Sequence, residues 1–237
     1  MTESDDTTDN QTDDKARVSG PQVIREGLDD WRWVLDKLVA RFETGDFNTG
    51  AALVTKIAEA ADEANHHPDV DLRYPHLTIT LKSHDVEAIT QRDVRLAHRI
   101  SELAAEAGVS ASTDAADVIE IALDTPDHPR VKPFWLALLG YDTNPDHDND
   151  LRDSAGRNPT LWFQKTDSEE PDRQRFHLDV SVPADAAQAR LRAVLDAGGT
   201  LVSDEEAPAF WVVADADGNQ ACICTWEGRS AWADAGD

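Results

Sequence analysis

Histidine is the side chain whose charge changes close to neutral pH, so a cluster of imidazoles can both donate and accept protons there. Of the eight histidines, His66, His67, His76 and His84 fall in one short stretch. His66 and His67 follow an alanine-rich run in ADEANHHPDVD, and His84 closes LTITLKSH. A helix end and a strand end can meet at one rim of a sheet. That meeting would gather His66, His67 and His84 around a cleft suited to general acid–base catalysis. Two other readings compete. A zinc site is disfavoured, because neighbouring histidines point in different directions and the segment has neither cysteine nor a His-x-x-x-His pair. Surface histidines at a helix C-terminus are favoured by the macrodipole and need no chemistry. His76 is read as a surface residue.

The elements that position these groups follow from periodicity. VIREGLDDW reads as a short helix, and WRWVLDKLVARFETG alternates like a strand before the turn residues Gly45 and Asp46. From Phe47 to Asn65 the residues Leu53, Ile57, Ala58 and Ala61 recur at helical spacing. VDLRYPHLTITLKSH reads as two strands about a turn near Pro75, with Leu77, Ile79 and Leu81 in alternation. Thr90 opens a further helix with Asp93 three residues on, close to a capping box. Leu96, Ile100 and Leu103 give that helix its apolar face, and Gly108 stops it. The small and polar run GVSASTDAAD is the domain boundary. After it a strand–helix–strands unit occurs twice. VIEIALD, PRVKPFWLALLG and TLWFQKT form the first copy; FHLDVSV, DAAQARLRAVLDAGG, FWVVAD and ACICTW form the second. A repeat of this length is an internal duplication whose copies cover each other's open faces.

A chain of 237 residues accommodates two small domains, and 40% apolar side chains suffice for their cores. Asp+Glu total 47 against 22 Lys+Arg, a formal charge of −25. Such a field repels phosphate backbones and anionic lipid, which argues against nucleic-acid and membrane partners. The acidic, lysine-poor surface fits a salt-adapted host. No apolar run reaches the roughly 18 residues of a membrane span. Two cysteines make no disulfide framework, and the acidic start MTESDDTTDN is the reverse of a secretory or transit signal, so the expected location is the cytoplasm. Residues 1–16 read as a disordered acidic tail, 17–112 as the first domain and 113–237 as the second.

The stretch from Trp31 to about Leu103 resembles pterin-4a-carbinolamine dehydratase through ARFETGDF, ADEANHHPD, Tyr74, LTITLKSH and ITQRDVRLAHRI. The resemblance implies an α+β domain, a four-stranded antiparallel sheet with helices on one face, assembled as dimers or tetramers. It implies dehydration of 4a-hydroxytetrahydrobiopterin to the quinonoid dihydropterin, in tetrahydrobiopterin recycling, with no metal or organic cofactor. Loss of water needs a base for the N5 proton and an acid for the departing hydroxide, and differently placed histidines can divide those roles. The resemblance makes His66 and His84 the acid–base pair and has His67 bind the pterin. Asp62, Asp69, Ser83 and Asp93 become substrate-binding candidates; for Asp93, a capping role in its own helix is an equal reading. Ala88 stands where the family has glycine; a positive φ there would cost about 1 kcal/mol.

Residues 118–228 resemble the glyoxalase-like, vicinal-oxygen-chelate superfamily through FWLALLGY, TLWFQ, RFHLDVSVP, LDAGGTLV and WVVADADGNQACIC. The fold implied is paired βαβββ modules forming a cupped sheet. The superfamily's ligand positions correspond here to Gln164, His177 and Cys222, with an aliphatic residue in the first strand, and no metal is expected from so sparse a set. Cys222 and Cys224 read as small buried hydrophobes. Trp135, Trp162 and Trp211 read as core, with an apolar cup for a planar ligand as the other possibility. Two rivals to the dehydratase reading are a non-catalytic dimerisation scaffold on the same fold and a glyoxalase-like lyase, dioxygenase or ligand-binding protein acting through the C-terminal half.

Overall fold

The computed structural model describes residues 14–145, 147–167, 176–214 and 220–228. The chain divides into two compact units after Ala116. Residues 1–13 of the expected tail and the Asp-Ala-Asp-Gly-Asn run at 215–219 lie outside the described residues. Asp14 and Lys15, at the end of that tail, pair with Arg95 at 2.8 Å and with Asp85 at 2.9 Å.

The first unit contains α1 (Gly20–Arg25), β1 (Arg32–Val34), β2 (Lys37–Glu43), α2 (Phe47–Ala64), β3 (Asp69–Leu72), β4 (His76–Leu81), α3 (Gln91–Glu106) and β5 (Ser110–Ala111). α2 starts where the Asp46 carboxylate accepts the Thr49 N–H at 2.9 Å, and it stops at Asn65, whose φ of 46° is left-handed. Asparagine bears that conformation better than most residues. β4 alternates as expected: Leu77, Ile79 and Leu81 are fully buried. They pack with Phe42, Leu53, Ile57, Leu96 and Ile100 into one core between the sheet and the helices.

The sheet runs β1-β2-β4-β3, all antiparallel, and gains a fifth strand. β1 covers β2 only from Lys37 to Val39, which leaves an open edge at Phe42 and Glu43. Ala111 and Ser110 pair there. The run read as a linker therefore begins inside the first unit. The β1–β2 turn rests on Leu35 and Asp36, with φ of 49° and 56°, the double left-handed signature of a tight hairpin turn.

The second unit consists of β6 (Val118–Thr125), α4 (His128–Leu139), β7 (Asp142–Thr143), β8 (Asp150–Arg152), β9 (Leu161–Lys165), β10 (Phe176–Ser181), α5 (Ala187–Asp196), β11 (Thr200–Ser203), β12 (Phe210–Ala214) and β13 (Gln220–Cys224). Its sheet order is β11-β12-β13-β10-β6-β9-β8-β7. In each half the first strand lies parallel beside the last, β6 with β9 and β10 with β13. β6 and β10 pair antiparallel and join the halves. This is the expected pair of βαβββ modules. Each module has its own apolar cluster, one around Leu151 and Phe163, the other around Trp211 and Ile223.

Candidate functional site

His66 is the first residue beyond the left-handed cap of α2, and its backbone N–H returns to Ala61 O at 3.1 Å. That bond fixes the chain as it leaves the helix and turns the ring inward, where the residue is only 8% exposed. Its Nε2 lies 2.7 Å from Asp93 Oδ1. Asp93 is the third residue of α3 and is wholly buried. Its other oxygen, Oδ2, accepts the Thr90 N–H at 2.7 Å, the Ser83 hydroxyl at 2.7 Å and the Thr90 hydroxyl at 3.2 Å. The Ser83 and Thr90 hydroxyls lie 2.8 Å apart.

Asp93 thus caps its own helix with Oδ2, as one of its two readings had it, while Oδ1 holds His66, a partnership the sequence did not announce; read also as a substrate-binding candidate, it is wholly buried. Burial pushes the Asp93 carboxyl up, but the hydrogen bonds from His66, Ser83 and Thr90 outweigh it and hold the group below the usual carboxylate value. An ionised carboxylate only accepts, so Nε2 of His66 must carry the hydrogen. Nδ1 is then the nitrogen free to take a proton.

His84 lies in the exposed turn that follows β4, one residue past buried Ser83. The strand itself ends three residues earlier, at Leu81. The turn is closed by Ser83 N–H to Ala88 O at 2.9 Å. Ala88 has no positive φ; that conformation falls on Glu87, at 47°, so the expected cost moves back by one residue. Ser83 links the turn that carries His84 to the buried carboxylate that holds His66.

His67 is outside this network. It is 60% exposed, and its Nε2 meets Asp62 Oδ1, on the last turn of α2, at 2.9 Å. Asp69 opens β3 as an exposed residue, and Tyr74 is exposed as well. His76, read as a surface residue, is half-buried, with Nδ1 3.1 Å from Arg41 Nη2. Thr90 is the group that sequence reading undervalued: its capping signal was visible, its bond to the histidine network was not. A cleft lined by Lys56, Glu59, Glu63, Arg99, Leu103 and Glu106 shares no residue with this site.

In the second unit, strand register places Ala122 and Asp124 of β6, Trp162 and Gln164 of β9, His177 and Asp179 of β10 and Cys222 of β13 on one sheet face. The other face carries Leu123, Leu161, Phe163 and Ile223 into the module cores. His177 and Cys222 come together, and the third member of their group is Asp179. Gln164 shares the face but is exposed and is not part of that group. The Cys222 thiol is pushed up by its hydrogen bond to Cys224, by burial and by the Asp179 charge. Trp211 belongs to the core of the second module, and Trp135 packs against the separate core of the first. Trp162, read as core, instead donates Nε1–H to Asp179 Oδ2 at 3.1 Å.

The model of the family described as Pterin 4 alpha carbinolamine dehydratase matches residues 17–103, and that of a Glyoxalase-like domain matches residues 120–224. A curated relative from Nocardia farcinica, provisionally named pterin-4-alpha-carbinolamine dehydratase, is 40% identical over 79 residues, which are 33% of this chain and 83% of that protein. A relative from Thermomicrobium roseum with the same provisional name is 39% identical over 74 residues, 31% of this chain and 80% of its own. Among solved structures, a transcriptional coactivator/pterin dehydratase from Brucella melitensis is 24% identical and aligns with 38% of this chain and 99% of its own, at a TM-score of 0.36.

Proposed function

The chain belongs to the pterin-4a-carbinolamine dehydratase family, and on that premise we propose that its N-terminal unit is a hydro-lyase converting 4a-hydroxytetrahydrobiopterin to quinonoid dihydropterin in tetrahydrobiopterin recycling. The single observation that carries the reading is the His66–Asp93 pair at 2.7 Å, backed by Ser83 and adjoining the turn of His84. In the reaction His66 Nδ1 takes the N5 proton, and the electron pair it leaves forms the N5=C4a bond. The C4a–O bond breaks, and protonated His84 supplies the proton that lets hydroxide leave as water. Solvent then returns a proton to His84 and removes one from His66. The Asp93 carboxylate stabilises the imidazolium formed on His66, as a buried counter-charge does.

Ser83 and Asp93 act in this reading through His66, because both are buried. His67 and Asp62, exposed and paired, orient the pterin, with Asp69 at the rim. A small pterin ligand and a homodimer or homotetramer in the cytoplasm complete the proposal. No helix among the described residues is long and apolar enough to cross a membrane. The test is dehydration of synthetic 4a-carbinolamine by the full chain, followed in the ultraviolet. His66→Ala and His84→Ala should each lose about 10²–10⁴-fold in catalysed rate while the circular dichroism stays that of a folded protein. Wild-type turnover in both variants would sink the assignment.

A further inference from the structure

The turn that carries His84 is fastened from two sides. On the inside, Ser83 gives its backbone N–H to Ala88 O at 2.9 Å and its hydroxyl to Asp93 at 2.7 Å. On the outside, the two residues after His84 are held by side chains from elsewhere. The Asp85 carboxylate takes Arg92 Nη2 on Oδ1 at 2.6 Å and Lys15 Nζ on Oδ2 at 2.9 Å. Val86 O accepts an N–H from Arg17 Nη2 at 3.2 Å. The hydrogen bonds from Arg92 and Lys15 keep the Asp85 carboxyl well below the usual carboxylate range, so this clamp stays charged at neutral pH. His84 therefore stands between two fastened neighbours with its own ring exposed.

Lys15 and Arg17 belong to one short segment that is itself anchored. Val18 is 5% exposed within the core of the first unit, and its N–H meets Ile89 O at 2.8 Å. Arg17 forms an antiparallel bridge with Thr90, and Asp14 closes onto α3 through Arg95 at 2.8 Å. Residues 14–18 thus form a strap along the chain from Asp85 to Arg95. The strap touches the His84 turn and also runs beside Thr90, whose N–H and hydroxyl both bond Asp93. An exposed ion pair alone holds a side chain only loosely. Here the backbone of the strap is already ordered by Val18 and the bridge, so each side-chain contact orders little more than its own rotamers. Arg17 and Val86 are 69 positions apart, and no local pattern announces their contact.

We propose that Lys15 and Arg17 are positioning residues for the dehydration: through Asp85 and Val86 they hold the turn so that the His84 imidazole reaches the departing hydroxide. The inference rests on the role given to His84 in the dehydratase reading, and neither residue touches the pterin. Misplacing a reacting group by about 1 Å costs up to about 10²-fold in rate, so a turn held at both ends serves the chemistry as well as the fold.

The test compares the full wild-type chain with one carrying Lys15→Gln and Arg17→Gln together. In the dehydration assay kcat should fall about 10–100-fold while KM stays within about twofold. Lys15→Arg with Arg17→Lys keeps both charges and should restore most of kcat. Arg99→Ala, which removes an ion pair farther along α3, should turn over like wild type. The imidazole proton resonance of His84, assigned by its loss in His84→Ala, should shift in the double Gln variant and return in the charge-keeping one. A kcat within about twofold of wild type in the double Gln variant, an equal loss in Arg99→Ala, no recovery with the charges restored, or an unmoved His84 resonance would each overturn the proposal. If the double Gln variant fails to fold, Asp85→Ala decides, since it cuts the clamp at its other end and must lower kcat as well. Wild-type turnover in His66→Ala and His84→Ala sinks the dehydratase reading, whereas an inactive His84→Ala beside an unimpaired double Gln variant sinks only the role of the strap.

Discussion

Asp93→Asn is the sharpest probe of the N-terminal site, because it leaves shape intact and changes only what the side chain can donate. The wild-type carboxylate accepts from His66 Nε2, Ser83, the Thr90 N–H and the Thr90 hydroxyl. An amide has one oxygen and one NH₂ group, so it must disappoint one side. If NH₂ faces His66, Nε2 becomes the acceptor and the hydrogen moves to Nδ1, which removes the base. If NH₂ faces Thr90, two N–H groups oppose each other in a buried place and the start of α3 is uncapped. Bonds to a charged group are each worth about 1.5–3 kcal/mol and a helix cap about 1 kcal/mol, so the second outcome costs roughly 2–4 kcal/mol of stability. The first costs about 10²–10⁴-fold in turnover, equivalent to roughly 3–5 kcal/mol of barrier. The assay pairs single-turnover dehydration across pH 6–9 with urea unfolding of the same samples. A folded Asp93→Asn protein that dehydrates within threefold of wild type and unfolds at the same urea concentration would refute both the tautomer and the cap reasoning.

The Asp93 carboxyl is held below its ordinary value in the folded chain, so it contributes stability that is full above the unfolded value near 3.8 and disappears as pH falls through the lower folded value. Urea midpoints should therefore drop more steeply below pH 4 in the wild type than in Asp93→Asn. His67→Ala removes an exposed ring paired only with exposed Asp62; KM should rise with kcat nearly kept, and stability should change by less than about 0.5 kcal/mol. Phe42→Ala empties a fully buried site in the first core and should cost about 3–5 kcal/mol in urea unfolding. Replacing Leu35-Asp36 by Asn-Gly relieves two non-glycine residues in the left-handed region, a strain of about 1–2 kcal/mol each, less the extra entropy of unfolded glycine, so the unfolding free energy should rise by about 1 kcal/mol.

How much of this was readable depended on whether a local signal existed. α2 announced itself through the helical spacing of Leu53, Ile57, Ala58 and Ala61, α3 through Thr90 and Asp93 at its start and Gly108 just beyond it, and β4 through strict alternation; each signal acts within a few residues, whereas Asp46, read only as a turn residue, proves to be the cap of α2. The β1–β2 hairpin gave no such sign, because Leu-Asp is a poor choice for two left-handed positions and only the pairing of the flanking strands imposes it. β5 is two residues long, too short for any period, and exists because β2 outruns β1. In the second unit, alternation alone puts His177 and Asp179 on one face. That Cys222 stands opposite Asp179 follows only from the parallel register of β10 with β13, which joins residues more than forty positions apart.

The division of labour proposed for His66 and His84 shows why spacing alone could not settle the chemistry. Both are histidines at the ends of elements, and either could be acid or base on sequence grounds. What separates them is a third residue whose role reads locally as a cap. Asp93 Oδ2 completes its own helix start, and that duty pins the carboxylate in place; Oδ1, left over, then fixes the hydrogen on Nε2 of His66. A group recruited to begin α3 thereby decides which face of an imidazole 27 positions upstream is basic. In the proposed reaction His84, exposed in its turn with solvent at hand, is left the role of the acid that must be reprotonated each cycle. The assignment rests on the two oxygens of one buried carboxylate doing different things, a fact of three-dimensional geometry that no pattern of residue types encodes.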